Sequence, residues 1–350
     1  MNTEYDTVFV THLPAFYKVN LYNAIAKQQR ILVIFLGASS KIRTQDFSSL
    51  AFEFESWVMD AQDFEQRSVL KTLKNLAKLW QKIRTLRYHQ LVVGGWDRLE
   101  FWMLVILSPS RKNYLALESS VYESQVSGLR GAIKKFFLTQ LQGVYASGAP
   151  HIRLLQLLKY PGEIKKTLGV GLFNYQAKIL QQRPFSGKFL YVGRLAPEKN
   201  LLLLIKAFQK LPEFTLTIIG DGPLKSALRQ DCLSNVTILG YVSNIELASY
   251  YQAHDVFILP SLSEPWGLVV EEALYYGLPV IASGNVGCAQ DLIVDNQLGL
   301  MFNPADLNNL ISAICAMQNK MAVFRERVIQ FDFTSRDKLQ VQQYKINSID

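Results

Sequence analysis

Hydrophobic and polar positions alternate regularly through the second half of the chain. Short apolar runs rich in Val, Ile, Leu and Phe are separated by longer stretches in which apolar residues have helical spacing. A parallel sheet with helical crossovers produces this pattern, because its strands are buried on both faces. The predicted strands span 188–192, 215–219, 236–239, 256–259 and 279–282, and the predicted helices span 201–210, 224–232, 245–252 and 268–276.

The first half shows a weaker form of the same alternation. Gln, Pro and Gly interrupt the pattern between 174 and 186, which indicates a domain boundary there. We therefore predict an α/β protein with two doubly wound, Rossmann-like domains at 1–175 and 176–330. Ligands of such folds bind at the carboxyl ends of the strands. In the first half, the predicted strands span 7–11, 31–36, 91–94 and 114–117, and the predicted helices 20–28 and 69–87.

Apolar runs and cysteines bear on the cellular compartment. The longest apolar run, 101–107, is far shorter than the roughly 20 residues that a membrane-spanning helix needs. The first six residues are polar, unlike a signal peptide. The three cysteines are widely spaced, so neither a disulfide framework nor a metal cluster is expected. We expect a cytoplasmic protein with reduced cysteines at Cys232, Cys288 and Cys315.

The formal charge of +8 is unevenly distributed. Residues 1–165 contain 21 Lys and Arg against 13 Asp and Glu, whereas residues 166–350 contain 16 of each kind. The first domain is therefore basic and the second is neutral. This difference indicates that the two domains have different partners.

The stretch 263–283, SEPWGLVVEEALYYGLPVIAS, contains the strongest candidate site. Glu264 lies in a turn after a predicted strand, and Gly267 lets the backbone approach a ligand where a helix begins. Free N–H groups and the positive end of that helix form an anion site. Glu272 follows Glu264 by just over two helical turns, so one carboxylate can hold the hydroxyls of a sugar and the other a ribose. Two solvated glutamates near a helix start are the alternative interpretation.

At this stretch the sequence resembles the retaining glycosyltransferases of family 4. The family hallmark is a glutamate, seven residues and a second glutamate, followed by alanine and a Gly-x-Pro-Val strand. Glu264, Glu272, Ala273 and the segment 277–280 match it. Other landmarks occur in order, and the resemblance covers 188–304 well and the first half loosely. These landmarks are YVGRLAPEKN at 191–200, IGDGP at 219–223, and the strand end at 240–242.

The resemblance implies a GT-B fold, in which two Rossmann-like domains face a central cleft. It implies that the C-terminal segment, 331–350, forms a helix that crosses back to complete the first domain. It also implies sugar transfer with retention from a nucleotide diphosphate sugar, a UDP- or GDP-sugar, with no metal and no other cofactor. Catalytic roles fall on Glu264, and on Arg194 and Lys199 at the diphosphate. The implied donor-binding residues are Gly193, Gly220, Tyr241, Val242, Pro265, Trp266, Gly267, Leu268, Val269 and Glu272.

Physical chemistry independently supports the assignment of the two cations. A diphosphate leaving group gains charge as its bond to the anomeric carbon breaks, and fixed positive groups stabilise that transition state. Arg194, Lys199 and the helix start at Gly267 and Leu268 could supply this stabilisation without a metal. The sequence contains no Asp-x-Asp pair, the hallmark of the metal-dependent alternative fold. An Arg and a Lys that are only solvated are the alternative interpretation.

The first domain departs from the family pattern after its first strand. Many members have a glycine-rich loop there, whereas this chain has HLPAFYK at 12–18. We expect His12, Tyr17 and Lys18 on the acceptor side, although the stretch can equally pack a turn. The turn at 94–96, Gly-Gly-Trp, either lines the acceptor pocket or is only a tight turn.

A second departure concerns the histidine that many members carry after a strand of the first domain. Here the strand at 114–117 is followed by Glu118. This carboxylate is predicted to orient the donor sugar or to receive the acceptor proton, unless it caps the next helix. Of the histidines, His12 ends the first strand and is a candidate, whereas the others are expected to be structural: His89, His151 and His254.

A basic amphipathic helix is predicted at 69–87. Its apolar face is predicted to contain Leu70, Leu73, Ala77, Trp80 and Ile83, and most of the other face is lysine. The segment 131–138, GAIKKFFL, repeats the mixture of lysines and aromatics. Such surfaces suit anionic lipid headgroups, although a helix that packs on its own sheet is the alternative. No nucleic-acid-binding module is recognisable.

Together, the basic half and the resemblance predict a lipid-linked glycan acceptor at the inner membrane surface. The expected pathway is the synthesis of a surface polysaccharide such as lipopolysaccharide. Two alternatives remain at this point. One is a nucleotide-sugar hydrolase or epimerase on the same fold, and the other is a noncatalytic subunit that binds nucleotide or lipid.

Overall fold

The first unit of the computed structural model is built on a seven-stranded parallel sheet. The structure describes residues 4–38, 51–59, 69–172, 180, 182–230 and 233–346, without the side chains of 69 and 70. Every strand pairs in parallel with its neighbours, in the order β3-β2-β1-β4-β5-β6-β7. The strands are β1 (Glu4–Thr11), β2 (Ile31–Phe35), β3 (Glu55–Val58), β4 (Arg87–Val93), β5 (Asn113–Leu117), β6 (Gly143–Ala146) and β7 (Glu163–Lys166).

Helices cover both faces of this sheet. One apolar core contains Val8, Val10, Leu91 and Val93, and the other contains Phe9, Val33 and Phe35, because alternate residues of a strand point to opposite faces. The helices of the first half are α1 (Phe16–Ala26), α2 (Val69–Ile83), α3 (Leu99–Leu107), α4 (Gly128–Leu138) and α5 (Ala149–Leu157).

The second unit contains a six-stranded parallel sheet of the same kind, in the order β10-β9-β8-β11-β12-β13. Its strands are β8 (Lys188–Val192), β9 (Thr215–Ile219), β10 (Val236–Ile238), β11 (Val256–Leu259), β12 (Val280–Ser283) and β13 (Gly299–Phe302). Its helices are α6 (Leu201–Gln209), α7 (Lys225–Gln230), α8 (Asn244–Ala253), α9 (Leu268–Tyr275) and α10 (Leu307–Gln330). Both sheets are thus doubly wound and parallel, as predicted.

The last helix, α11 (Phe333–Gln343), returns to the first unit, as the resemblance implies. Tyr344 stacks on Tyr145 with 4.3 Å between ring centroids, and Val341 packs into the same core as Phe9. The chain therefore divides into Met1–Asn174 with Thr334–Asp350, and Tyr175–Phe333.

The strand order reverses once in each sheet. In the first unit the reversal lies between β1 and β4, and in the second between β8 and β11. At such a switch point, the loops after the two strands run in opposite directions and leave a crevice, which is where ligands of doubly wound folds bind. Residues that follow β1, β4, β8 and β11 therefore lie where ligands of this kind of fold bind.

Some predicted bounds in the first half differ from the structure. The predicted helix at 20–28 begins at Phe16, so Tyr17 and Lys18 belong to α1 and not to a loop. The predicted strand at 91–94 is only the end of β4. The first residues of β4 alternate between exposed and buried, and polar Gln90 is buried among them. The first residues of β4 therefore lack the continuous apolar run from which the rest of the strand was predicted.

The apolar face predicted for α2 was wrong in part. Leu73 is 57% exposed and Ala77 is exposed, whereas Leu79 and Ile83 are buried. The buried stripe therefore contains Leu79, which was not predicted, together with Ile83, which was.

Candidate functional site

The loops after β8 and β11 meet at the switch point of the second unit. The hydroxyl of Tyr191 donates to the carbonyl oxygen of Arg194 at 2.9 Å, which shapes the loop after β8. The amide of Leu262, after β11, donates to the carbonyl oxygen of Glu198 at 2.8 Å. These bonds hold the two loops side by side at the edge where ligands bind in this kind of sheet.

Lys199 and Glu264 form an ion pair between these two loops. Their side chains are only 15% and 17% exposed. The backbone of Glu264 is also fixed, since its amide donates to Asn285 at 3.2 Å and its carbonyl oxygen accepts from Gly287 at 2.9 Å. The structure therefore brings together two of the predicted catalytic residues, which lie 65 positions apart in the chain.

Arg194 is the more exposed cation of the site. Its guanidinium pairs with Glu198, one helical turn further along the chain, and more than half of its side chain is exposed. Burial raises the pKa of Glu198, but the hydrogen bond from Arg194 and further charge interactions outweigh burial, and the pKa lies below its ordinary value. The Glu198 carboxylate is thus ionised at neutral pH, and the exposed guanidinium of Arg194 lies at the rim of the site.

Glycines allow the loops of this site to pack backbone against backbone. Gly220, at the end of β9, has φ of +145°, and a Cβ there would lie 1.9 Å from the carbonyl oxygen of Gly193. No other residue fits at this position without moving the loop after β8. The predicted donor residues Gly193 and Gly220 therefore lie in direct contact.

Helix α9 begins at Leu268, four residues after Glu264. Gly267 precedes the helix in a left-handed conformation, with φ of +101°. The indole of Trp266 donates to the carboxylate of Glu271, whose side chain is fully buried. Glu271 thus stabilises the turn. The sequence analysis did not predict this role, because the family motif is defined by Glu264 and Glu272. Pro265 is exposed, and Leu268 and Val269 are half-buried.

Glu272 is held by a different element from Glu264. Its carboxylate accepts a hydrogen bond of 3.0 Å from the hydroxyl of Tyr251 in α8. The Tyr251 ring stacks on Tyr276 with 5.4 Å between centroids. Burial, followed by the charge of Glu272, raises the pKa of Tyr251 well above its ordinary value, so the hydroxyl remains a donor. Tyr241 and Val242 follow β10, and half of the Tyr241 side chain is exposed.

In the first unit, His12 and Asp97 meet at the switch point between β1 and β4. The Nε2 atom of His12 lies 3.0 Å from both carboxylate oxygens of Asp97. Burial raises the pKa of the Asp97 carboxyl, but its hydrogen bond and charge interaction with His12 outweigh burial, and the pKa lies below its ordinary value. The sequence analysis identified His12 and missed Asp97, whose position after a strand and a Gly-Gly turn was the available signal.

Lys18 and Glu118 form a second ion pair on the first unit. The Nζ atom of Lys18 lies 2.5 Å from Glu118 Oε1 and 3.1 Å from Thr11 Oγ1, and Lys18 is buried. Burial lowers the pKa of Lys18, but the Glu118 carboxylate and neighbouring hydroxyl groups raise it above its ordinary value. Lys18 thus holds Glu118 in place, and about half of the Glu118 side chain is exposed. Tyr17, next to Lys18, packs edge-on against Phe16.

Two of the other histidines, His151 and His254, have surroundings of a structural kind. His254 Nδ1 lies 2.7 Å from the carbonyl oxygen of Tyr250, and its Nε2 lies 2.8 Å from Thr217 Oγ1. His151 is fully buried, with Nε2 at 3.3 Å from the carbonyl oxygen of Glu118. Within the described ranges, no three His, Cys, Asp or Glu side chains are grouped closely enough to bind a metal ion.

Comparisons with known proteins find glycosyltransferases similar to this chain. Residues 177–331 match the family model described as "Glycosyl transferases group 1", which covers nearly the whole second unit. The chain is 39% identical over 129 residues to the sulfoquinovosyl transferase SQD2 of Arabidopsis thaliana, a match that covers 36% of this chain and 25% of that protein. It is 33% identical over 173 residues to the putative teichuronic acid biosynthesis glycosyltransferase TuaC of Bacillus subtilis, which covers 47% of this chain and 40% of TuaC. The chain thus spans less than half the length of both relatives.

A solved structure matches nearly the whole chain. HepE of Anabaena, in complex with UDP and glucose, superposes with a TM-score of 0.69 at 17% identity and covers 96% of this chain and 98% of HepE. The chain therefore has the GT-B fold, and its second unit matches the group 1 glycosyl transferases.

Proposed function

We propose that the chain is a glycosyltransferase that moves a sugar, with retention at the anomeric carbon, from a nucleotide diphosphate sugar to a glycan acceptor. The observation that carries the proposal is the Lys199–Glu264 pair at the switch point of the second unit, beside the first N–H groups of α9. Cations, a carboxylate and a helix start converge where a doubly wound sheet binds ligands. The match of residues 177–331 to the group 1 glycosyl transferases supports this interpretation.

The predicted site residues of the second unit have distinct roles in the proposed reaction. The bond between the anomeric carbon and the diphosphate oxygen breaks, and its electron pair leaves with the diphosphate. Arg194, Lys199 and the first N–H groups of α9 stabilise the charge that develops on the leaving group, so no metal is needed. Glu264 accepts hydrogen bonds from the sugar hydroxyls, and Glu272 accepts them from the ribose. The two loops that Gly193 and Gly220 bring together bind the nucleotide through backbone groups.

The donor is proposed to be a UDP-sugar, with a GDP-sugar as the second candidate. HepE, which shares the fold, has been solved with UDP and glucose. Trp266 is the only tryptophan in residues 175–333 and lies at the start of α9, so its fluorescence can report donor binding. The test is isothermal titration calorimetry, with fluorescence in parallel, using UDP-, GDP-, ADP- and dTDP-glucose in the presence of EDTA. Tight binding of one nucleotide class supports the proposal, and failure of every donor to bind contradicts it.

The acceptor is proposed to be a lipid-linked glycan, presented at an anionic cytoplasmic membrane surface during surface polysaccharide synthesis. Helix α4 supports this proposal because three apolar side chains, Leu129, Ile133 and Phe136, are exposed along it at helical spacing. Arg130, Lys134 and Lys135 lie on the same helix. Exposed apolar residues next to cations are typical of helices that lie in a membrane interface. None of the helices in the described part of the chain is long and apolar enough to cross a bilayer.

A further inference from the structure

Two aromatic rings fix the side chain of Tyr251 in the interior of the second unit. Tyr251 belongs to α8 and is 1% exposed. Its ring stacks on Tyr276, which directly follows α9, and the two ring planes are inclined by only 7°. It also lies against Phe257 of β11, with 6.1 Å between ring centroids. A helix end and a strand therefore hold the ring, and its hydroxyl has little freedom to move.

The hydroxyl of Tyr251 donates to Glu272 of the neighbouring helix. Its oxygen lies 3.0 Å from Glu272 Oε2, within the ordinary range for a hydrogen bond between two oxygens. Burial raises the pKa of Tyr251 well above its ordinary value, and the charge of Glu272 raises it further. The hydroxyl therefore stays protonated at neutral pH, and the carboxylate is the acceptor.

Glu272 lies on the accessible face of α9, below the helix start. The residues of this face are half-buried, whereas 270, 271 and 273–275 are buried: Leu268, Val269, Glu272 and Tyr276. Helical side chains lean toward the N-terminus of their helix, and α8 and α9 both begin after the carboxyl ends of strands. Tyr251 and Glu272 therefore lean toward the edge of the sheet where ligands of this fold bind.

The neighbouring carboxylate shows what a glutamate with a structural role looks like in this helix. Glu271 is fully buried and accepts a hydrogen bond from the indole of Trp266, five residues earlier in the chain. Glu272 is half-buried, and Tyr251 reaches it from another helix. Glu271 is thus closed to a ligand, whereas part of Glu272 remains accessible.

Tyr251 orients Glu272 without neutralising its charge. Glu264 is paired with the ammonium group of Lys199, whereas the donor that Tyr251 supplies is an uncharged hydroxyl. An ionised carboxylate has about four acceptor positions, so the bond from Tyr251 to one oxygen is compatible with further bonds from a ligand. Hydrogen bonds to an ionised acceptor are roughly twice as strong as those between neutral groups. This arrangement suits a ligand with neighbouring hydroxyl groups, as a ribose has.

We propose that Tyr251 is the positioning residue of the ribose site and makes nucleotide affinity depend on the ribose hydroxyls. This inference rests on the proposed function, in which Glu272 accepts hydrogen bonds from the ribose. Without the Tyr251 hydroxyl, the carboxylate gains rotational freedom, and ordering it again when the ribose binds costs affinity. The residues of this arrangement all lie in the second unit.

The test is calorimetric titration of the wild type and Tyr251→Phe with UDP and with its 2′,3′-dideoxy analogue, which lacks both ribose hydroxyls. GDP and its dideoxy analogue replace these probes if the wild type prefers GDP. The wild type is expected to bind UDP about 10- to 100-fold more tightly than the analogue, the usual effect of losing a hydrogen bond to a charged group. In Tyr251→Phe, the affinity for UDP should fall by about 10-fold and that for the analogue by less than about 2-fold, because the two changes act on one interaction.

Tyr5→Phe is the matched control. The hydroxyl of Tyr5 also donates to a glutamate, Glu55, at 2.5 Å, but this pair lies in the first unit. The control should leave the affinities for UDP and for the analogue unchanged. Tyr276→Leu removes the stacked ring and should shift the two affinities in the same direction as Tyr251→Phe, but by less.

Two further measurements separate positioning from a loss of structure. Melting temperatures establish that the second unit of each variant remains folded at the temperature of the titration. In transfer assays, Tyr251→Phe should raise the KM for the donor and leave kcat nearly unchanged, because a ribose contact is the same in the ground state and the transition state. A variant with a distorted site would instead lose kcat.

Two results would overturn the inference. One is a Tyr251→Phe protein that binds UDP as tightly as the wild type, and the other is a variant that loses equal affinity for UDP and for the analogue, which would show that Tyr251 only supports the fold. A wild type that binds both probes equally would remove Glu272 from the ribose contact, and the inference with it.

Failure of the proposed function gives a different result. The wild type would then bind none of the nucleoside diphosphates, and the inference would fall with the donor site. If the wild type binds UDP and prefers it to the analogue, and Tyr251→Phe keeps the full preference, the proposed function stands and only the role of Tyr251 is wrong.

Discussion

At the residue scale, the role proposed for Glu264 depends on its ion pair with Lys199. Each side chain is more than four-fifths buried, and each comes from a different loop. A sugar bound to the carboxylate and a diphosphate bound to the ammonium would therefore be held at a fixed distance from one another. This coupling makes the charge of Glu264 important in addition to its hydrogen-bonding oxygens.

Replacement of Glu264 by Gln tests this point, because the amide has nearly the same shape without the charge. We expect kcat to fall by about 10²- to 10³-fold, the range found when one electrostatic contact to a transition state is removed. Glu213→Gln, a substitution at an exposed site in the same unit, is the control. Unchanged turnover by the Glu264 variant, measured as product formed from a bound donor, would remove Glu264 from the mechanism.

Asp255 is the clearest case of a buried charge that stabilises the second unit. Its carboxylate is 1% exposed and accepts hydrogen bonds from the Ser186 amide at 2.8 Å and hydroxyl at 2.7 Å. Arg183 and Arg325 lie at 3.7 and 3.5 Å. Burial raises the pKa of Asp255, but its hydrogen bonds and the charge of Arg183 outweigh burial and lower it.

We expect Asp255→Asn to lower the free energy of unfolding of the second unit by about 2–4 kcal/mol at neutral pH, because buried Arg325 loses its counterion. The folded-state pKa is depressed, so the stabilisation is present above the unfolded-state pKa of about 3.9 and is lost as the pH falls through the folded-state pKa. Calorimetric unfolding should therefore show a constant difference from pH 7 to about 5, which narrows as the pH falls below the unfolded-state pKa of about 3.9. Asp221→Asn, at an exposed ion pair, is the control and should show almost no effect.

At the element scale, the turn before α9 determines where the first N–H groups of that helix point. Gly267 has φ of +101°, a conformation that side chains disfavour. The space around it is less restrictive, since an added Cβ would lie 3.0 Å from a methyl group of Val286. Backbone strain, more than collision, should decide the effect of a substitution there.

Gly267→Ala is expected to cost about 1–3 kcal/mol of stability, the usual range for a residue held in an unfavourable backbone conformation. If the turn relaxes, the helix start moves away from the diphosphate and the donor affinity falls. Calorimetric donor titration alongside thermal unfolding distinguishes the two effects. An alanine variant with the wild-type donor affinity would show that the helix start does not contribute to binding. Gly284→Ala, where an added Cβ meets only ordinary contacts, is the matched control.

Differences between the elements explain why the sequence predicted some strands, helix faces and site residues and not others. The central strands of the second unit were predictable because β8 and β11 are almost wholly apolar and buried. The edge strand β7, with the sequence EIKK, has no such signal. The buried face of α2 was misjudged because apolar residues occur on more than one side of the helix. Asp97 was missed because its partner lies 85 residues away, and only the pairing of β1 with β4 brings them together.

At the scale of the whole molecule, the excess of positive charge and the exposed apolar row of α4 lie in the same unit, the first. The excess of positive charge lies in residues 1–165, and α4 in that unit exposes a row of apolar side chains beside cations. Trp102 of α3 stacks on Phe136 with 6.3 Å between ring centroids, which extends the apolar surface to a second helix. An anionic membrane would cover such a surface, with the lysines at the headgroups and the apolar side chains below them.

The triple substitution of Leu129, Ile133 and Phe136 by Ser tests this interpretation. We expect the variant to bind vesicles of phosphatidylglycerol and phosphatidylcholine at least about 10-fold more weakly in sedimentation assays, because each apolar side chain loses its burial in the interface. Ile245→Ser is the matched control, since Ile245 is 81% exposed, close to the 78% of Leu129, but lies on the neutral second unit. Wild-type binding should also weaken as salt rises, because salt screens the contact between lysines and headgroups. If the triple variant binds like the wild type while soluble acceptors are glycosylated equally well by both, α4 has no membrane role, and the acceptor need not be lipid-linked.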